Sequence, residues 1–293
     1  MSAILPRHRF VVGAALLMLV AAMVGLTRLS RGRRATPAPA SSSAATFVEL
    51  PPLTSPSWLV DLDVSGGAGA VVAVPVGARE PRPVLIALHG GADRAEWACG
   101  TWTGISRSRA FVLCPRGKPL GNDRFGWGKR GEVETELRGA LKALKARFGP
   151  HVASGPVVLA AFGAGAEHAL EIARLEPTFF SRVALVAAGS GLWSAGSAAV
   201  YAKSGGKRVI FVVSDPQSRA AGNTYWLFAR GAGLDTKVLD LGDLGRVLDA
   251  RVAAGISPEL PWLVAGDPLY DPGKSPEGDD PGKSPEDALR DDP

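Results

Sequence analysis

Between residues 57 and 265 the chain alternates short apolar runs with longer amphipathic ones. Apolar or alternating runs bounded by turn residues predict eight strands: WLVDLDV (58–64), AVVAVPV (70–76), PVLIALHG (83–90), AFVLCP (110–115), PVVLAAFG (156–163), RVALVAAG (182–189), RVIFVVSD (208–215) and DTKVLDLG (235–242). The stretches between several of them change to a helical period. In EVETELRGALKALKARF (132–148), Val133, Leu137, Ala140, Leu141 and Leu144 fall on one face. AGAEHALEIARLE (164–176), SRAAGNTYWLFARGA (218–232) and LGRVLDARVAAG (244–255) have the same character. Near-continuous apolar strands with helices between them require cover on both faces. The expected fold class is therefore α/β, with a mostly parallel central sheet of about eight strands and helices on both sides. The short link between the first two strands suits an antiparallel start.

Both ends depart from this pattern. FVVGAALLMLVAAMVGL (10–26) is apolar and uncharged, with Arg7 and Arg9 before it and Arg28, Arg31, Arg33 and Arg34 after it. Its length sits at the short limit of a membrane-spanning helix, and a long signal-peptide core is the other reading. No small-x-small cleavage site follows closely, because APA at 38–40 comes after the four arginines. This favours an uncleaved single-pass anchor over residues 1–30. Residues 31–56, rich in Pro, Ala and Ser, read as a tether. The globular domain is expected over 57–265. Residues 266–293 form an acidic, Pro-rich tail carrying DPGKSPE twice, at 271–277 and 280–286. Its two GKS triplets are not a P-loop: the first glycine of that motif falls on Pro268 or Glu277, and no strand precedes it.

The net charge of +5 adds little, because four of the arginines behind it cluster just after the apolar run. No helix-turn-helix, zinc-finger or aromatic-stacking pattern accompanies them, so nucleic acid is not an expected partner. The cationic flank after the apolar run favours a cytoplasmic domain. Cys99 and Cys114 argue the other way. They are an even pair that can bond in an oxidising compartment, while two separate buried thiols are the alternative. An exported, periplasmic domain is the adopted expectation. No clustered His/Asp spacing predicts a metal. No cofactor is expected either: GAGAEH after a strand begins like a dinucleotide fingerprint, but His168 stands where its third small residue belongs and no acidic residue ends the next strand.

Several stretches resemble the α/β-hydrolase superfamily, its esterase and dienelactone-hydrolase branch in particular. The third strand ends in His89, Gly90 and Gly91, similar to the HGG loop that lends an N–H to the family's oxyanion hole. AAFGAGA (160–166) occupies the strand–turn–helix of the nucleophile elbow, which implies an oxyanion role for Ala164. RVIFVVSD ends at Asp215, where the family often places its triad acid, and LDLGDLGRVLD resembles the stretch that carries its histidine. The pattern HGGADRAEW-C … FVLCPRG is similar to a cysteine-containing subgroup.

The chemistry departs from that family. A G-x-S-x-G elbow needs a hydroxyl at its tip and a base to take its proton. Here the tip is Gly163, and Arg246 stands at the position expected for histidine. Arginine stays protonated and cannot serve as a base. Of the vestigial set Gly163, Asp215 and Arg246, only the acid matches. A rescue by Ser190 paired with His89 is geometrically conceivable; the other histidines are His8, His151 and His168. The tryptophans Trp97, Trp102, Trp127, Trp193 and Trp226 read as core or lid packing. Two functions follow. One is a membrane-anchored, catalytically degenerate pseudo-hydrolase that binds a small molecule or protein at the cell envelope. The other is an active esterase or peptidase with a displaced nucleophile.

Overall fold

A computed structural model describes residues 49–267, 269 and 270. The apolar run at 10–26 and the DPGKSPE repeat lie outside these residues. Among the described residues no helix is long and apolar enough to cross a membrane.

All eight expected strands form, trimmed at their ends: β1 (Leu59–Leu62), β2 (Ala70–Ala73), β3 (Val84–Leu88), β4 (Phe111–Pro115), β7 (Val158–Phe162), β8 (Arg182–Val186), β9 (Arg208–Val213) and β10 (Asp235–Asp240). They make one sheet in the order β1-β2-β4-β3-β7-β8-β9-β10. β1 pairs antiparallel with β2, and β2 antiparallel with β4; every other pairing is parallel. Composition alone did not reveal the small hairpin of β5 (Lys118–Gly121) and β6 (Arg124–Gly126).

Alternation along the buried strands divides the core in two. Ile86 and Leu88, Leu159 and Ala161, and Val209 and Phe211 face one layer. Leu85 and Ala87, Val158 and Ala160, and Ile210 and Val212 face the other. The first layer is covered by α2 (Arg130–Phe148), α3 (Ala164–Leu175), α4 (Ala195–Lys203) and α5 (Pro216–Gly231). The second is covered by α1 (Ala95–Ser106), α6 (Ala250–Ile256) and α7 (Leu260–Val264). Cys99 of α1 is bonded to Cys114 of β4, so the pairing holds and the two-thiol alternative does not.

Three boundaries differ from expectation. The helix expected over 244–255 begins only at Ala250, because Gly245 turns with φ 80° and Asp249 caps the helix through bonds from the N–H groups of Arg251 and Val252. Residues 49–56, given to the tether by composition, lie against the body. The N–H of Leu50 donates to Arg79 and that of Leu53 to Ala78, and Leu53 is buried. At the other end, Asp267 is buried against Arg182, with 3.2 Å between the charged groups.

Candidate functional site

The carboxyl ends of the parallel strands converge on one edge of the sheet, and the expected site residues lie there. Gly163 follows β7 and caps α3 with φ 53° and ψ −116°. A β-carbon in that conformation is strained, yet space for one exists, since the nearest atom to it is the Gly90 Cα at 3.8 Å. The elbow geometry is thus present without its hydroxyl. Gly165 is required for a different reason. A β-carbon there meets the carbonyl oxygens of His89 at 2.6 Å and Leu88 at 2.7 Å, so only glycine lets α3 approach β3 this closely.

The loop after β3 packs onto the elbow. A β-carbon on Gly91 would sit 3.5 Å from the Ala164 Cβ, which brings residues 91 and 164 side by side. Asp93 braces the loop through bonds from the N–H groups of Arg94 (2.8 Å) and Gly90 (3.4 Å). Asp93 also exchanges backbone bonds with Phe125 of the hairpin, which sequence reasoning missed. Ala164 and Gly165 open α3, where backbone N–H groups have no partner within the helix.

His89 is structural. It is fully buried, its Nδ1 faces the Gly90 carbonyl at 2.6 Å, and its Nε2 faces the Arg116 carbonyl at 2.8 Å. Its ring stacks on Trp127, whose indole N–H donates to the His89 carbonyl at 2.8 Å. Ser190 is exposed, and among the described residues no hydrogen bond joins it to a histidine. The conceivable Ser190–His89 pairing is therefore not formed: the buried ring has a backbone carbonyl, not a hydroxyl, against each of its nitrogens. His168, half-buried on α3, has its ring 6.3 Å from that of Trp127. Burial lowers its pKa, with Glu167 and Glu171 opposing the shift only in part.

Asp215 sits at the end of β9 and caps α5. Its Oδ1 accepts from the N–H groups of Gln217 (3.0 Å) and Ser218 (3.1 Å). Burial raises its pKa, but the bonds from Ser218 and Gln217 and the charge of Arg246 outweigh this and hold the carboxyl below its ordinary range. Its Oδ2 is buried with no partner. In a triad that oxygen would orient an imidazole; among the described residues no imidazole reaches it. Ser214 and Gly245 are joined by two bonds, of 2.7 and 2.9 Å, which set Arg246 beside Asp215. The Arg246 guanidinium extends away to donate to the Ala187 carbonyl at 2.8 Å. Ala187 directly follows Val186, whose carbonyl accepts from the Gly163 N–H at 3.0 Å. The structure therefore brings residues 89–91, 163–165, 215 and 246 to one edge, with the Arg246 guanidinium close enough to act on the Asp215 carboxylate. Among the described residues no group of three metal-ligating side chains occurs.

No protein-family model matches the chain, and a comparison with curated protein sequences finds no match. Solved structures do match. Poly(aspartic acid) hydrolase-1 from Sphingomonas sp. KT-1 aligns at 14% identity over 70% of this chain and 98% of its own, with a TM-score of 0.51. A dienelactone hydrolase-like promiscuous phosphotriesterase from metagenomic libraries aligns at 18% identity over 70% and 98%, TM-score 0.51. An S-formylglutathione hydrolase from Agrobacterium tumefaciens aligns at 15% identity over 70% and 92%, TM-score 0.53. The likeness is one of fold: the chain has the α/β-hydrolase fold.

Proposed function

We propose that this α/β-hydrolase-fold protein is a pseudo-hydrolase, held at the cell envelope by its N-terminal apolar run with the domain exported, and that its former active-site edge binds a small molecule or a protein. One observation carries the reading. The elbow keeps its strained turn at Gly163 while the side chain at the base position, Arg246, is a permanent cation bonded to the Ala187 carbonyl. Acyl transfer needs a nucleophile that can lose a proton and an unprotonated group to take it. Neither exists at the two positions, and among the described residues no serine is hydrogen-bonded to an imidazole. The exposed residues 91 and 92 and the half-exposed Ala164 at the start of α3 remain as backbone surface for a partner.

A fluorophosphonate probe on the purified full chain tests this. No stoichiometric labelling is expected. Labelling that disappears in Ser190→Ala would overturn the reading in favour of an active esterase or peptidase with a displaced nucleophile.

A further inference from the structure

At the opposite edge of the sheet lies a cavity of about 580 Å³ that the vestigial site does not use. It opens where the strands begin: Arg109 stands just before β4, and Asp267, also on its wall, is paired with Arg182, the first residue of β8. The walls are apolar, formed by Ile105 at the end of α1 and by Leu260, Pro261 and Val264 of α7. Such a volume lies within the roughly 300–1,000 Å³ of small-molecule sites. The charged groups around it are of two kinds. Arg182 and Arg208 are spent, the first on Asp267 and the second on Asp235 and the carbonyls of Trp262 and Ala265. Arg107 and Arg109 line the cavity, and among the described residues neither guanidinium enters a hydrogen bond or an ion pair.

We infer that this cavity binds an amphipathic anion: an aliphatic chain between α1 and α7, with its carboxylate or phosphate at Arg107 and Arg109. Apolar walls select the chain by removing it from water, and two guanidinium groups without a partner among the described residues supply the matching charge and donors. The chain's own ends fit less well. The segment after Tyr270 has the right charge, but apart from prolines its only aliphatic side chains are Ala288 and Leu289. The N-terminal apolar run has arginines on both flanks, the wrong sign for this rim.

The test uses the full chain with dodecanoate, followed by isothermal titration below the concentration at which the probe aggregates. Saturable one-to-one binding is expected, with affinity rising roughly fourfold per methylene from decanoate to dodecanoate. Dodecanol, with the same chain and no charge, should bind at least tenfold more weakly. Arg107→Glu with Arg109→Glu should weaken dodecanoate at least tenfold. Ala265→Trp, at an exposed position on the cavity wall, should abolish binding by filling the space. Both variants should melt as the parent does. Removal of residues 271–293 and substitution of Arg246 should leave the affinity unchanged, which separates this site from the vestigial one. The inference fails if no saturable binding occurs or if neither cavity variant weakens it. It also fails if dodecanoate binds only after residues 271–293 are removed, since the tail would then be the occupant.

Discussion

Gly163 and Gly165 are both glycines for backbone reasons, and the reasons differ. At 163 the strain comes from φ alone, with room for a side chain. Gly163→Ser should therefore fold, at a cost of roughly 1–2 kcal/mol, and should show no turnover of p-nitrophenyl acetate, because Arg246 takes no proton. Measurable hydrolysis by that single variant would mean a base exists elsewhere. At 165 the obstacle is two carbonyl oxygens, so Gly165→Ala should cost more, roughly 3 kcal/mol, as read from the shift in denaturation midpoint. His168 makes a pH-dependent contribution. Its folded pKa lies below the ordinary 6.5 because the ring is half-buried. The unfolded chain thus binds the proton more tightly. The contribution is complete above about 6.5 and is lost as pH falls through the folded value. In His168→Gln this part of the stability–pH slope should vanish, as chemical denaturation across that range would measure.

Two elements depend on single cross-links. The bond between Cys99 and Cys114 ties α1 to β4 across a sequence separation of 15. Replacing both cysteines with alanine should cost about 3 kcal/mol, the scale set by closing a loop of that size in the unfolded chain. The last described segment is held to β8 by Arg182 and Asp267, both nearly inaccessible to solvent. Breaking such a pair leaves a buried charge without its partner. Asp267→Ala should thus cost about 3–5 kcal/mol. Replacing both partners with apolar residues of similar volume should recover much of that loss.

For the molecule as a whole, the disulfide bears on where the domain resides. A bond of this kind persists in oxidising compartments and is rare in reducing ones. If the domain is exported as proposed, alkylation of intact cells followed by denaturation should find no free thiol in this chain, and reduction should release both. Two thiols alkylated before reduction would place the domain in a reducing compartment, in line with the basic flank after residue 26.

The eight strands and their mostly parallel arrangement were legible in the sequence, because a strand buried on both faces must be apolar almost throughout, as Val84–Leu88 and Val158–Phe162 are. That the tip of this turn, Gly163, carries no hydroxyl was legible too, since what a residue lacks does not depend on its surroundings. The hairpin at 118–126 was not, because Lys118–Gly121 is exposed throughout and its single apolar residue, Leu120, sets no pattern. Nor was the start of the helix at Ala250, where the capping carboxylate of Asp249 and the turn at Gly245 overrode an apolar period that runs on from 244. Sequence alone left His89 open as a base. Only the tertiary structure closed that option, by setting the carbonyls of Gly90 and Arg116 against both ring nitrogens. Composition and period report what each residue can bury, but which groups a buried side chain meets is decided by strands and loops far apart in the chain, and only folding brings those together.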